Sequence, residues 1–412
     1  MAAKVSSAVF QGFPWLSCPG VVCALGSGMA QIAPRALAAD SSGMRLQALW
    51  LHGKPLTLGS VEADLADIPA HLPAHYQSRN NRLLLAAARQ IEPSLRQATA
   101  RYGAARVAVV LGTSTSAAND NLPAFKTLAE SAHWPPDYDY RRQELSAPAA
   151  FLSAFLGITG LAYTLSTACT SSARALLSAQ RLLALDLCDA VICGGADNLC
   201  RLTIGGFAAL EAVDAALCRP FSKNRSGINI GEAAVLFLMT RERPKDTAAM
   251  AFLGGAGSSD AYHMSTPEPE GAGAQAAMRG ALASAGINAA DIGWVNLHGT
   301  ATLHNDAMES RAMQAVFPHG VPCASTKALT GHTLGTAGAL EAALCFASLS
   351  ADFNPEGKLI PHHWDGQADP ALPELDLTGS EQHWTKGKAR IAMSNSFAFG
   401  GSNVSLIFAD AA

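Results

Sequence analysis

Ser166-Thr167-Ala168-Cys169-Thr170-Ser171-Ser172-Ala173-Arg174 joins two stretches of different character. Before it, Leu161-Ala162-Tyr163-Thr164-Leu165 reads as a short strand. After it, Ala173 to Leu185 consists almost wholly of good helix formers. The junction therefore reads as a strand-to-helix turn. A cysteine there meets unpaired backbone N–H groups and the positive end of the helix dipole, and both favour thiolate. One such residue decides little, because cysteine is among the most commonly buried side chains.

Working outward, Val/Ile/Leu-rich strands alternate with Ala/Leu-rich helices along all 412 residues, the signature of α/β layers. The pattern also repeats. A helical Leu83 to Ala100 leads into the strand Arg106 to Leu111 and the turn Gly112-Thr113-Ser114-Thr115. A helical Ala274 to Ala285 leads into the strand Ile292 to Leu297 and the turn His298-Gly299-Thr300-Ala301-Thr302. The Cys169 turn and its helix have an echo in Ser325-Thr326-Lys327-Ala328 and the helix after Gly335. Duplication into two facing halves is the expected architecture. The charged, Pro-containing Arg241 to Asp246 separates two apolar strands, which sets the halves at 1–246 and 247–412.

Composition narrows the function. Only 15% of residues are charged and the net charge is −4, so no global field attracts nucleic acid or an anionic membrane. The nine cysteines form no CxxC pair, which fits reduced thiols of a cytoplasmic protein better than a metal cluster. The apolar Val5 to Ala30 is interrupted by Gln11, Pro14, Pro19 and glycines, and no window reaches membrane-spanning length. It reads as part of the folded domain.

Mirrored turns of facing halves converge, which would gather Cys169, His298 and the region of His332. His298 ends a strand, where open α/β sheets present ligands. His332 lies between glycines that let backbone approach a ligand closely. In so apolar a setting Lys327 needs a partner, and Glu341 is the candidate. The glycine turn in Asn395 to Asn403 offers free amides for an oxyanion. One thiol and two imidazoles on such turns suit covalent acyl transfer better than metal ligation.

With these motifs the chain resembles the β-ketoacyl-[acyl-carrier-protein] synthases of the elongating Cys-His-His type, in the thiolase-like superfamily. The matching blocks run in the family's order across roughly Leu83 to Phe408: Thr167-Ala168-Cys169-Thr170-Ser171, Arg219-Pro220-Phe221, Gly231-Glu232, Ser258 to His263, His298-Gly299-Thr300, Ser325-Thr326-Lys327 through His332, and Asn395-Ser396-Phe397 through Gly401. The resemblance implies a thiolase-like fold, with two pseudo-symmetric βαβαβαββ halves in five layers, α-β-α-β-α. It implies that Cys169 accepts the acyl group and that His298 and His332 assist decarboxylation of a malonyl thioester. The amides of Cys169 and Phe399 would form the oxyanion hole, with Phe399 as a gate. Lys327 and Glu341 would organise the site. Thr300 and Thr302 would hold the phosphopantetheine arm, with Phe397 and Thr115 also on the substrate side. No cofactor or metal of the chain's own is implied, since phosphopantetheine arrives on the acyl carrier protein. Arg82, Arg141, Arg142 and Arg201 are candidates for docking that carrier.

The departures from the family pattern are specific. The segment up to about Arg82 matches poorly. Ala398 stands for a glycine beside the gate, Leu297 for a small residue before His298, Ser222 for Asp, Ala233 for Gly, and Thr115 for an aliphatic residue beside the acyl pocket. These point to a specialised synthase of type II polyketide or aryl polyene biosynthesis, paired with itself or with a homologous chain-length factor. The alternatives are a primary fatty-acid elongating synthase and, in another class, a non-catalytic chain-length factor or scaffold subunit. A thiolase acting on coenzyme A fits less well, because no cysteine lies in the C-terminal glycine turn.

Overall fold

A computed structural model describes residues 12–51, 53–245 and 247–410. Its first half contains β1 (Trp15–Ser17), β2 (Gly20–Cys23), β3 (Gly26–Ser27), α1 (Met29–Leu37), β4 (Met44–Leu51), β5 (Lys54–Gly59), α2 (Arg79–Tyr102) and β6 (Val107–Gly112). There follow α3 (Leu122–Ser131), α4 (Ala147–Leu156), β7 (Ala162–Leu165), α5 (Ser171–Ala184), β8 (Ala190–Asp197), α6 (Arg201–Ala209) and β9 (Ala233–Thr240). The second half contains β10 (Ala249–Ser259), α7 (Ala272–Ala285), β11 (Trp294–Asn296), α8 (Leu303–Val316) and β12 (Cys323–Ala324). It closes with α9 (Lys327–Thr330), α10 (Ala337–Leu349), β13 (Ile391–Phe397) and β14 (Ser402–Asp410). Asp246, where the sequence sets the boundary between halves, lies outside the described residues, as does the Val5–Gln11 part of the N-terminal segment.

The internal echo is a repeat of strand order. The first half pairs as β7-β6-β8-β9 and the second as β12-β11-β13-β14. In each, the first three strands are parallel and the last is antiparallel. The turns after β6 and β11 both reach the loop that carries His332: Gly335 packs on Thr113 and Ser114, and the His298 ring packs on His332. One feature was not expected: β1 pairs with both β9 and β10, setting Trp15 opposite Thr240 and Ala251, so the half-sheets join into one twelve-stranded sheet. Without β1, the last strand of the first half and the first of the second would leave edges unpaired there.

The layers follow from which helix faces are apolar. All residues of α10, Ala337–Leu349, are buried, and Glu341 is its one charged side chain. A helix apolar all round belongs in the interior. Accordingly α1, α5 and α10 share one core with inward residues of both half-sheets, including Phe237, Phe252 and Phe408. The outer faces are covered by α2 and α4 on one side, through Leu83, Leu84, Ile91 and Phe151. On the other side α7 and α8 do the same, through Met278, Leu282 and Met313. This is the five-layer α/β arrangement of the thiolase-like fold.

The poorly matching N-terminal region still supports the site. The β4–β5 hairpin buries Leu56 and Leu58 against Ile204, Ile230 and Leu334. Gly59 then donates its N–H to the Ile230 carbonyl and accepts from the Glu232 N–H. A side chain at Gly59 would meet the Thr330 carbonyl at 2.1 Å, so the approach requires glycine. Glu232, fully buried, is held by Arg79 at the start of α2 and accepts the amides of Val61 and Leu199.

Candidate active site

Cys169 occupies the turn that the sequence indicates, between β7 and α5. Ala168 adopts φ 53°, left-handed backbone that an alanine adopts only under constraint. Ser171 supplies that constraint: its Oγ accepts the Thr167 N–H at 2.9 Å and donates to the Ala168 carbonyl at 2.5 Å. Thr170 gives α5 no side-chain cap. The sulfur instead faces the N–H groups of Cys169 itself and of Phe399, which follows β13. Gly112 at the end of β6 lets the start of α5 sit this close, because a Cβ there would meet Ser172 N at 2.2 Å.

The two histidines arrive from the second half. His298 follows β11, and its N–H and that of Gly299 donate to the two oxygens of Glu309 at 2.8 and 2.7 Å. His332 follows α9; its N–H donates to the Asn229 carbonyl at 2.6 Å and its carbonyl accepts from Gly231 at 2.9 Å. Nε2 of His332 lies 2.8 Å from Cys169 Sγ. The imidazoles are edge to face, with centroids 5.4 Å apart. Lys327 joins this group: its Nζ is 3.4 Å from His298 Nδ1, donates to the His298 carbonyl and pairs with Glu341. Because an ammonium can only donate, His298 Nδ1 must accept, which leaves the proton on Nε2, a buried atom with no partner among the described residues.

Electrostatics in this dry pocket disfavour charge. Burial pushes the Cys169 thiol up to about 12, outweighing the pull of Lys327 and of the two amides. The thiolate expected from the helix terminus is thus not the resting form of the closed site. Burial, then the Lys327 charge, hold both imidazoles well below their usual range, so both are neutral. Burial also raises Glu341 to about 7 against the attraction of Lys327, and raises Glu309 to about 7 against its two amide donors. Cys169, His298 and His332 offer ligand atoms within 4.8 Å of one another, a spacing a metal ion could use. Two amide N–H groups aimed at the sulfur and an ammonium beside His298 favour a developing anion there instead.

The other residues singled out from sequence fall into two sets. Thr300, Thr302 and Phe399 line a small cavity with Cys169, His298 and His332. The Thr300 and Thr302 hydroxyls are 3.0 Å apart, Phe397 stacks edge-on to His298 at 6.2 Å, and Phe399 closes the cavity against Phe207. Thr115 is not in that lining; its amide and hydroxyl are held by Asp197 at 3.1 and 3.4 Å. The arginines all have partners: Arg82 with Asp67, Arg141 with Asp139, Arg142 with Asn121, and Arg201 with the carbonyls of Leu49 and Trp50. Ser222, in place of the family's Asp, bonds to Asp365 at 2.8 Å, so a carboxylate from elsewhere reaches the Arg219 turn.

Sequence reasoning missed Glu309 and Asp306. Asp306 accepts the Phe221 and Ala301 amides at 2.7 and 3.1 Å, fixing the turn after His298. A usable signal was present: two acids three residues apart on the helix that directly follows the His298 turn.

The chain matches the β-ketoacyl synthase N-terminal domain over residues 71–244 and the β-ketoacyl synthase C-terminal domain over residues 250–357. Nodulation protein E of Rhizobium sp. (strain N33) is 30% identical over 87% of this chain and 89% of that protein. Nodulation protein E of Rhizobium meliloti is 34% identical over 64% of this chain, and the chloroplastic 3-oxoacyl-[acyl-carrier-protein] synthase II of Arabidopsis thaliana is 36% identical over 63%. The chain spans 65% and 49% of the length of those two relatives. Among solved structures, the ketosynthase ApeO in complex with its chain length factor ApeC, from Xenorhabdus doucetiae, superposes with a TM-score of 0.89. It is 46% identical and the match covers 97% of this chain and 98% of that one. The ishigamide ketosynthase/chain length factor follows at TM-score 0.84 and 25% identity, over 97% and 99%. Matched in both halves by one family, and by a relative along most of its length, this chain is a member of the β-ketoacyl synthases.

Proposed function

We propose that the protein is an elongating β-ketoacyl-[acyl-carrier-protein] synthase of aryl polyene or related type II polyketide biosynthesis. The observation that carries this reading is the Cys169–His332 contact, set in a chain 46% identical along its length to a ketosynthase solved with its chain length factor. The primary fatty-acid alternative draws on the plastid synthase, whose match is confined to 63% of the chain.

In the first half-reaction, His332 Nε2 takes the Cys169 proton as the sulfur attacks the acyl thioester. The amides of Cys169 and Phe399 hold the tetrahedral oxyanion. The carrier's thiolate leaves and takes the proton from His332. In the second, the malonyl thioester enters between the histidines. His298 Nε2–H donates to its carbonyl oxygen as CO2 departs, so no base need remove a carbon-bound proton. The enolate carbon attacks the Cys169 thioester, the C–S bond breaks, and the thiolate regains a proton from solvent through His332. Thr300 and Thr302 bind the pantetheine arm, Phe399 separates the two steps, and Phe397 backs the His298 ring. Lys327, paired with Glu341, keeps His298 in its donor tautomer. Cytoplasmic residence fits a partner carrier protein and reduced cysteines, and among the described residues no helix is long and apolar enough to cross a membrane. We read residues 1–246 as the half carrying the nucleophile and 247–412 as the half carrying both histidines. No cofactor beyond the carrier's phosphopantetheine is needed.

The test is condensation by the purified protein, with any co-purifying homologue lacking the cysteine, on polyenoyl and saturated acyl carriers. Polyenoyl extension that is lost in Cys169→Ala is the expected result. Full activity of a homodimer on saturated carriers alone would favour the fatty-acid reading, and condensation undiminished in Cys169→Ala would favour a scaffold.

A further inference from the structure

Arg174 lies one turn beyond the nucleophile on α5, half-buried, in ion-pair contact with none of the described residues. Burial and the neighbouring Arg181 both disfavour its charge. Its guanidinium is nonetheless fully directed. Nε and Nη2 donate to Ser402 Oγ at 3.1 and 2.9 Å, and Nη2 also donates to the Ser258 carbonyl at 3.2 Å. Arginine has no acceptor, so these two bonds occupy both lone pairs of the Ser402 hydroxyl. Ser402 must then donate, and the Thr170 hydroxyl lies 2.9 Å away. Thr170 in turn donates to the Thr167 carbonyl at 2.7 Å. The protons of the whole relay have one direction: Arg174 to Ser402, Ser402 to Thr170, Thr170 to Thr167.

The relay joins two turns that must stay in register. Thr167 and Thr170 bracket Cys169 and the left-handed Ala168. Ser402 is the first residue of β14 and closes the Phe399 turn, accepting the Ala398 N–H on its carbonyl at 2.8 Å. Within that turn Gly400 and Gly401 both have left-handed backbone, φ 82° and 77°, so it can swing about them. On its open side the turn is held by a Gly400 N–H to Met264 carbonyl bond, and Met264 is exposed.

We propose that Arg174 is a positioning residue: through Ser402 and Thr170 it locks the downstream hinge of the Phe399 turn to the Cys169 turn. The lock holds the Phe399 amide on the sulfur and sets how often the turn lifts to admit substrate. What the lifting serves rests on the ketosynthase reading, but the lock itself can be tested without any ketosynthase substrate.

The test is the rate of iodoacetamide alkylation of Cys169, followed by peptide mass spectrometry on the protein as purified with any accompanying subunit. The partly exposed Cys18 serves as internal reference. Arg174→Met and Ser402→Ala should each speed Cys169 labelling at least about tenfold, since each removes both Arg174–Ser402 bonds and one charge-assisted hydrogen bond alone carries about that factor. The double variant should be no faster than either, since both break one relay, and Cys18 labelling should stay constant. Unchanged Cys169 labelling, multiplying effects in the double variant, or a parallel rise at Cys18 would each overturn the lock. Should Arg174→Met fail to fold, Ser402→Ala alone decides by the same readout. No condensation by the wild-type protein, with Cys169 labelling accelerated in the variants as expected, would count against the ketosynthase reading and not against the lock.

Discussion

Nε2 of His332 lies 2.8 Å from the Cys169 sulfur, although 163 residues separate them. The contact matters because burial holds the thiol at about 12. Without a base, the thiolate fraction at neutral pH would be about one in 10⁵. His332→Ala should therefore slow single-turnover acylation of Cys169 by about 10²–10⁴-fold. The sign of the pH effect follows from the raised value: below it the thiol is neutral. The residual rate of the variant should thus climb about tenfold per pH unit as far as the fold survives, while the wild-type profile is flatter. Equal acylation rates at pH 7, measured by mass shift, would remove His332 from the role of base.

Glu309 illustrates a group whose influence passes through backbone. It accepts the N–H groups of His298 and Gly299, so Glu309→Gln turns an amide N–H₂ toward one of those donors. A loss of about 1–3 kcal/mol is expected. Burial raises its folded value to about 7 from a usual 4.5. Between those values the folded state holds a proton that the unfolded chain has released. Glu309 therefore favours folding below pH 4.5 and loses that contribution as pH rises through 7, by about 3 kcal/mol in all. The depressed histidines act in the opposite sense but are common to both proteins. Denaturant midpoints of wild type and variant, subtracted across pH 5 to 8, should isolate the slope. A flat difference would show that Glu309 does not titrate.

The sequence makes Cys169, His298, His332, Lys327 and Glu341 legible because each breaks a local rule. A thiol sits at a helix start, one imidazole ends a strand and the other lies between glycines, and opposite charges stand in apolar runs that can tolerate them only as a pair. The doubled strand order is legible because both halves repeat the same succession of elements. The amide clamps of Glu309 and Asp306 were not, since an acid on a helix looks solvated until its backbone partners are known. Nor was the bridging of the half-sheets by β1, whose three residues carry too little pattern to assign. The role of the N-terminal hairpin was hidden for a different reason. It acts on the site through Gly59 and the Thr330 carbonyl, a contact between backbones that leaves no side-chain signature.

Gly231 tests that backbone packing. Its N–H donates to the His332 carbonyl, and a Cβ would meet the Thr330 carbonyl at 2.2 Å. Nothing flexible can yield, so Gly231→Ala must move the strand leading to β9 or the loop carrying His332. A displacement on the order of 1 Å is enough to cost about 10²-fold in rate. Acylation of Cys169 should fall by that factor, with a smaller loss of melting temperature than a core cavity would cause. Wild-type acylation in a folded Gly231→Ala protein would mean that the loop tolerates the shift.

Lys327 and Glu341 separate what the pair does for folding from what it does for chemistry. Both are buried, so Lys327→Met leaves the Glu341 carboxyl inside α10 without its partner. With the attraction of Lys327 gone its pKa rises further and it stays protonated, and the unpaired polar group should destabilise the protein by about 1–3 kcal/mol. Glu341→Leu added to it removes the unpaired carboxyl and fills the space with apolar atoms, so most of that loss should return. Activity should not return with it. Nothing then donates to His298 Nδ1, its ring is free to carry the proton there, and the Nε2–H that faces the substrate is lost from part of the population. Decarboxylation should stay depressed by about 10-fold or more while acylation, which relies on His332, recovers. Recovery of both half-reactions in the stable double variant would reduce the ion pair to a structural one.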